Sequence, residues 1–239
     1  MPWEFFDRVY CITLEERPDR LAIARREFQA VELLDRVEFS TESLHPTDPE
    51  QGIYEAHMRC LARGVAEGAE TILVFEDDAH FDRYSATHLE RGIRFLRENP
   101  EAWDVFFLGS IHTGSRTVPG YPGVTKIRYR SLAHAYAVRR PFAEAIHILP
   151  WEMVSYDALL QEKNPRAYSL YPSIAFQNDT PSNNLTSEGC RKTDALRRKF
   201  GGLEFIQKLT EGYFRHHVKI QVTLLALTAL ALWFVFFRG

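Results

Sequence analysis

Thr71-Ile72-Leu73-Val74-Phe75-Glu76-Asp77-Asp78 is the stretch that decides the fold. Its five apolar or β-branched residues read as a buried strand. Three carboxylates follow with no turn between. Adjacent negative charges at a strand exit repel one another, so such a cluster is usually held by something positive, most often a divalent cation. Hard oxygen ligands favour Mg²⁺ or Mn²⁺ over zinc, and those ions commonly carry a phosphate-containing substrate. The alternative is a strand end dropping into a solvated acidic loop.

On either side the chain alternates strand and helix patterns. Arg8 to Leu14 reads as a first buried strand, and a helix opens at Pro18-Asp19 and runs to about Gln29. Val37 to Thr41 alternates like a short strand. Pro46, Pro49 and Gly52 mark a loop that feeds a helix from Ile53 to Glu67, just before the acidic-ended strand. Beyond it come a helix from Ser85 to Glu98 and a buried strand from Trp103 to Gly109. A loop then covers Thr113 to Gly123, and Val124 to Arg130 is an edge strand. Helices are expected over Pro141–Leu149 and Met153–Glu162. This order predicts an α/β domain with a mostly parallel sheet and a ligand at the carboxyl ends of its strands, where the acidic triplet lies. Neither Gly-x-Gly-x-x-Gly after a strand nor a Walker-type lysine loop occurs, which argues against Rossmann and P-loop sites.

The 239 residues suit one such domain with attachments. A net charge of −3 gives no global electrostatic case for nucleic acid. Three scattered cysteines suggest neither a disulfide framework nor a zinc knuckle. The C-terminal end stands apart. Ile220 to Phe237 is eighteen residues without a formal charge, flanked by Lys219 and Arg238. That length is just enough for a transmembrane helix, expected over 218–237, the alternatives being a buried or an interfacial helix. The basic residues between 191 and 217 then form a juxtamembrane segment, and the positive-inside rule puts the domain at 1–190 on the cytosolic side of a single-pass anchor.

Several stretches resemble, in order, those of glycosyltransferase family 25, which includes lipooligosaccharide and procollagen galactosyltransferases. They are Val9 to Leu14 with Arg17 and Arg20, Gly52 to His57, and Val74 to Ala79. Then come Trp103 to Val105 with Leu108-Gly109, His134 to Val138, Tyr156-Asp157, and Tyr171 to Gln177 with Ser182 beyond. The set covers about residues 6–184 and departs from the family at Thr13, where Asn is frequent, and at Ala56, where Ser is. The resemblance implies a GT-A-like nucleotide-binding domain using an acidic motif and a divalent metal. It also implies inverting transfer of galactose or glucose from a UDP-sugar to a glycan or lipid-linked acceptor, as in lipopolysaccharide or other glycoconjugate synthesis.

Within that reading Glu76 and Asp78 are the metal ligands, since alternate residues of an extended segment share a side, and Asp78 is the more direct. His134 is a third ligand, an acceptor contact or a structural histidine. Asp77 ligates through water, contacts the ribose or caps its loop. Arg17 and Arg20 pair with the donor, although Arg20 at helical spacing also suits a surface position. Thr13, His57 and Gln177 complete the donor side, with packing the alternative for His57. Asp157 is the general base or the N-cap of the helix at 158–162, and Asp179 is a rival base. Tyr136, Tyr171 and Phe176 either stack on sugars or fill the core. The competing functions are a metal-dependent phosphohydrolase and a non-catalytic, membrane-anchored sugar-nucleotide-binding protein.

Overall fold

The computed structural model describes residues 1–178 and 201–237, with the side chains of Val218 and of 229–237 outside that description. Its strands are β1 (Arg8–Leu14), β2 (Val37–Glu42), β3 (Thr71–Glu76), β4 (Ala79–Phe81), β5 (Val105–Phe107), β6 (Ile111–Thr117), β7 (Val124–Ser131), β8 (Ala135–Arg139), β9 (Ala167–Leu170) and β10 (Ala175–Gln177). The helices are α1 (Pro18–Ala30), α2 (Pro49–Ala66), α3 (Ala86–Glu98), α4 (Arg140–Ile146), α5 (Tyr156–Lys163) and, numbered here in order, α6 (Gly202–Phe237).

Eight strands form one sheet in the order β2-β1-β3-β8-β5-β9-β7-β6, and β10 pairs with β4 in a small second sheet. The α/β reading stands, but the sheet is mixed. Pairs β1–β2, β1–β3 and β5–β9 are parallel, whereas β8 runs antiparallel to both of its neighbours. Burial follows the pleat of β3. Leu73 and Phe75 enter a core with Phe28, Ile93 and Phe106, while Ile72 and Val74 enter a second core with Leu61, Tyr136 and Leu160. With helices on both faces, the strand is apolar at every position and alternation disappears.

Several boundaries shift for local reasons. Helix α2 begins at Pro49 rather than Ile53, because Asp48 caps it by accepting from the backbone N–H groups of Glu50 and Gln51. The expected loop at 113–123 is half strand, because β6 zips onto β7 as far as Thr117. Strand β7 is interior, lying between β9 and β6. Only three residues of the 103–109 run pair as strand, and at Gly109 the chain passes so close to another segment that a Cβ would lie 1.8 Å from the Ala175 carbonyl oxygen.

The C-terminal expectation is overturned. Among the described residues no helix is long and apolar enough to cross a membrane, so the transmembrane helix at 218–237 and the single-pass anchor are not supported. Residues 191–200, with the basic residues among them, lie outside the described residues, as do 238–239 and the side chains of 229–237. The start of α6, expected to be juxtamembrane, is packed on the domain, with Gln207 and Glu211 fully or nearly buried.

Two glycines should respond oppositely to alanine. Gly109→Ala should lower the urea-unfolding free energy by about 2 kcal/mol or more, since backbone must move. Gly212→Ala, in open space on α6, should raise it by up to about 1 kcal/mol.

Candidate functional site

Sheet register assembles the site around the carboxyl end of β3. In the parallel β1–β3 pair Ile12 stands beside Glu76, so the next residue, Thr13, falls beside Asp77 and donates its hydroxyl to Oδ2 at 3.1 Å. On the other side Ala135 of β8 stands beside Phe75, and the Glu76 N–H bonds the His134 carbonyl at 2.9 Å. From the small sheet, Gln177 pairs with Ala79 and donates Nε2 to Asp78 Oδ2 at 3.0 Å. Three neighbouring strands thus deliver Thr13, His134 and Gln177 to the triplet.

The acidic loop is not solvated. Asp77 is 5% exposed and Asp78 8%. Arg20, in the first turn of α1 and itself buried, places Nη2 2.5 Å from Asp77 Oδ1 and 2.7 Å from Asp78 Oδ2. Burial raises the Asp77 carboxyl to about 6 despite the opposing pull of Arg20. Burial and then the neighbouring Asp78 charge also raise Glu76, whose side chain keeps some exposure to the cleft. The surface alternative for Arg20 is excluded by its burial.

His57 is buried between two partners. Its Nδ1 lies 2.9 Å from the Tyr136 hydroxyl, which donates onward to Tyr156. Its other ring nitrogen, Nε2, faces Glu76 Oε1 at 3.5 Å. The ring also stacks on Tyr156, with centroids 4.2 Å apart, and burial pushes its pKa down to about 4.

His134 is fully buried. Its Nδ1 lies 3.1 Å from the Leu132 carbonyl, which can only accept, so Nδ1 carries the proton and Nε2 the lone pair. That Nε2 has no hydrogen-bond partner among the described residues, and neither has Asp78 Oδ1. Both atoms are of kinds that ligate divalent cations, but His134 is not among the residues lining the cleft, and its ring also lies against the Ala175 backbone. They stop short of a complete set: among the described residues no group of three or more His, Cys, Asp and Glu side chains is arranged to hold a metal.

Asp157 is committed elsewhere. Its carboxylate accepts from the Tyr129 hydroxyl in a short bond and from the backbone N–H groups of Leu132 and Ala133 at 3.1 and 3.2 Å. It tethers the loop that presents His134. It is not the N-cap of α5, a role filled by Ser155, whose Oγ accepts from the Ala158 N–H. Arg17 folds back onto Asp19. Tyr136 and Phe176 are core residues with no exposure, so neither presents a face to a sugar. Asp179 and Ser182 lie outside the described residues.

A cleft opens over these groups, lined by Thr13, Arg20, His57, Glu76, Asp77, Asp78 and Gln177, with Glu42 to His45 and Gly52 to Ala56 as the far wall. Sequence reasoning missed Tyr129 and the contribution of α6. Gln207 donates to the Ala175 carbonyl, Glu211 accepts from the Ser173 N–H, and Lys208 binds Asp82 while Glu204 contacts His80. One helix therefore clasps both strands of the small sheet, whose ends carry Asp78 and Gln177. The only hint in sequence was a glutamine and a glutamate one turn apart in a basic helix.

No family model matches the chain. Two curated relatives align. The human inactive glycosyltransferase 25 family member 3 is 28% identical over 162 residues, covering 56% of this chain and 27% of that protein. The rat probable inactive glycosyltransferase 25 family member 3 is 26% identical over 161 residues, covering 56% and 28%. The chain therefore spans about a quarter of the length of these relatives, and the likeness to both supports the resemblance to glycosyltransferase family 25. Among solved structures, A197 from STIV is 13% identical with a TM-score of 0.45, covering 72% of this chain and 85% of that one. A glycosyltransferase involved in glycosylation of the major capsid of PBCV-1 is 9% identical with a TM-score of 0.43, covering 79% and 98%. Both overlaps are too loose to define a shared site.

His57 and Asp77 have opposite linkage. His57, depressed from 6.5 to about 4, contributes stability that is fully present above pH 6.5 and lost as pH falls through 4. Asp77, raised from 3.8 to about 6, contributes stability fully present below pH 3.8 and lost as pH rises through 6. His57→Gln, which keeps an amide donor for Tyr136 but does not titrate, should therefore abolish about 3 kcal/mol of the stability lost between pH 6.5 and 4. Urea midpoints in EDTA at the two pH values measure this; an unchanged difference would show that the ring is not held neutral.

Proposed function

We propose that the cleft binds the diphosphate of a nucleotide-sugar, with UDP-galactose or UDP-glucose as donor, and that the chain transfers the hexose to a hydroxyl of a glycan or lipid-linked acceptor with inversion. The observation that carries this reading is two buried acceptors without a hydrogen-bond partner among the described residues, Asp78 Oδ1, whose other oxygen Arg20 holds, and His134 Nε2. Two acceptors without a donor are costly to bury, and a cation satisfies both. Mn²⁺ or Mg²⁺ held by them would offset the negative charge that grows on the departing diphosphate.

The chain's own residues do the rest. Arg20, already fixed by two carboxylates, offers a positive charge at the cleft floor for the donor phosphates. Thr13 and Gln177 hold Asp77 and Asp78 in orientation by their hydrogen bonds. Inversion needs one group to take the acceptor hydroxyl's proton. Asp157, satisfied by three donors, suits positioning of the His134 loop better than that task. Glu76 lines the cleft and is the carboxylate of the triplet that Arg20 does not engage, so in its ionised form it is placed to take that proton.

A second reading, nucleotide-sugar binding without turnover, has its own support. Arg20 already pairs with both aspartates, and Thr13 and Ala56 replace residues frequent in the family. The aligned relatives also carry the word inactive in their names.

Thermal shift with UDP-galactose and UDP-glucose, with and without Mn²⁺, tests binding. Asp78→Ala and His134→Ala should each weaken Mn²⁺-dependent binding at least about tenfold, or roughly 1.4 kcal/mol. Glu76→Gln should keep binding and lose hydrolysis and transfer. Binding without turnover in the unaltered chain selects the second reading. No shift with either donor, together with phosphate release from simple esters, would select a phosphohydrolase instead.

A further inference from the structure

The amphipathicity of α6 is inverted. Its domain-facing side carries Gln207 and Glu211, both buried and hydrogen-bonded to backbone at Ala175 and Ser173. The side turned away from the domain is apolar. At 3.6 residues per turn Phe205, Leu209, Tyr213, Ile220, Leu224 and Leu227 fall within an arc of about 100°. Ile220 is half-buried and the other five are 43–59% exposed. The charged residues of 202–228, Glu204, Lys208, Glu211, Arg215 and Lys219, all lie outside that arc.

The stripe is continuous. From Phe205 to Leu227 it runs about 33 Å at the helical rise. Its first half backs the part of α6 that is packed on the domain, and its second half continues where Gln221 to Thr228 are exposed on every face. At its edge an added Cβ on Gly212 would meet nothing within 4 Å, and His216 reaches the Tyr171 hydroxyl. Large side chains bury roughly 150–250 Å² each when aromatic and somewhat less when aliphatic, so six about half exposed offer on the order of 500 Å² per copy. That exceeds the roughly 400 Å² per partner of incidental contacts and approaches the roughly 800 Å² of a standard interface.

We propose that α6 pairs in parallel with α6 of a second copy, the six stripe residues meeting their own counterparts across a two-fold axis. The occupant has to be an apolar rod of the stripe's own length, and an uncharged stripe is complementary to itself. The flanks select the direction. Lys208, Arg215 and Lys219 lie on one flank, and Thr210, His217 and Gln221 on the other. A parallel pair sets each cationic flank against the partner's flank without Lys or Arg, whereas an antiparallel pair sets cation against cation. A helix resting on lipid borders its apolar face with available cations. Here Lys208 is paired with Asp82 and Glu204, and Arg215 covers the Tyr171 ring. The pairing goes beyond the glycosyl-transfer reading and does not depend on it.

Sedimentation equilibrium on the full chain without detergent should give twice the 27.7 kDa chain mass at micromolar concentration. Leu209→Glu combined with Leu224→Glu, both at exposed positions, should weaken association at least about tenfold while circular dichroism stays unchanged. Under oxidised glutathione Leu209→Cys should cross-link two copies, because a parallel pair sets position 209 beside its own counterpart. Gln221→Cys, exposed but off the stripe, should link no more than the unaltered chain. A monomer at every concentration overturns the proposal, as does a mass beyond two copies or a dimer that the double variant keeps. So does failure of Leu209→Cys to cross-link, which would exclude the parallel register. A monomer that floats with phosphatidylcholine vesicles would assign the stripe to lipid instead.

Discussion

One guanidinium holds the sheet edge together. Asp77 and Asp78 are consecutive, buried and of like charge, and Arg20 Nη2 touches both. Removing one partner from such a buried cluster typically destabilises by roughly 3–5 kcal/mol, because the remaining charges are left without compensation. The contact also links elements distant in sequence. It ties the first turn of α1 to the end of β3, fixing the helix that follows β1 over the strand beside it. Asp78 is then fixed from a second direction by Gln177, so its unpartnered Oδ1 has one orientation rather than several.

The small β4–β10 sheet makes that second direction possible, and α6 makes the small sheet possible. Three hydrogen-bonded residues per strand are marginal by themselves. Gln207 and Glu211 reach the backbone at Ala175 and Ser173, and Glu204 and Lys208 reach His80 and Asp82. Gly109 lets the 173–175 segment pass at a distance no side chain tolerates. The first turns of α6 are thus part of the machinery that presents Asp78 and Gln177, not an appendage to it.

The sequence exposed the local half of this design. The 71–78 run showed a strand and its charged exit because apolar β-branched residues followed by carboxylates have few other readings. The ordered family resemblance placed Thr13, Arg20, His57, His134 and Gln177 near one another, and register brings them there. What stayed hidden depends on long-range pairing. The antiparallel insertion of β8 cannot be read from an apolar pattern, since a strand buried on both faces looks alike in either direction. The commitment of Asp157 to Tyr129 and to two backbone N–H groups needed the fold of the 131–134 loop. The tail misled for a different reason: the start of α6, assigned from its basic residues to a juxtamembrane segment, is packed on the domain through Gln207 and Glu211, contacts that composition does not show.

The balance at the acidic edge bears on activity itself. A fixed guanidinium and a bound cation are alternative ways of compensating the same carboxylates, and both are compatible only if they use different oxygens. They do here. Arg20 takes Asp77 Oδ1 and Asp78 Oδ2, leaving Asp78 Oδ1 and the His134 lone pair free. An arginine that had replaced the cation would be expected to consume those acceptors as well. Buried acceptors left without a donor cost more than solvated ones, so the arrangement keeps at Asp78 Oδ1 a polar atom that its fixed neighbours Arg20 and Gln177 do not satisfy.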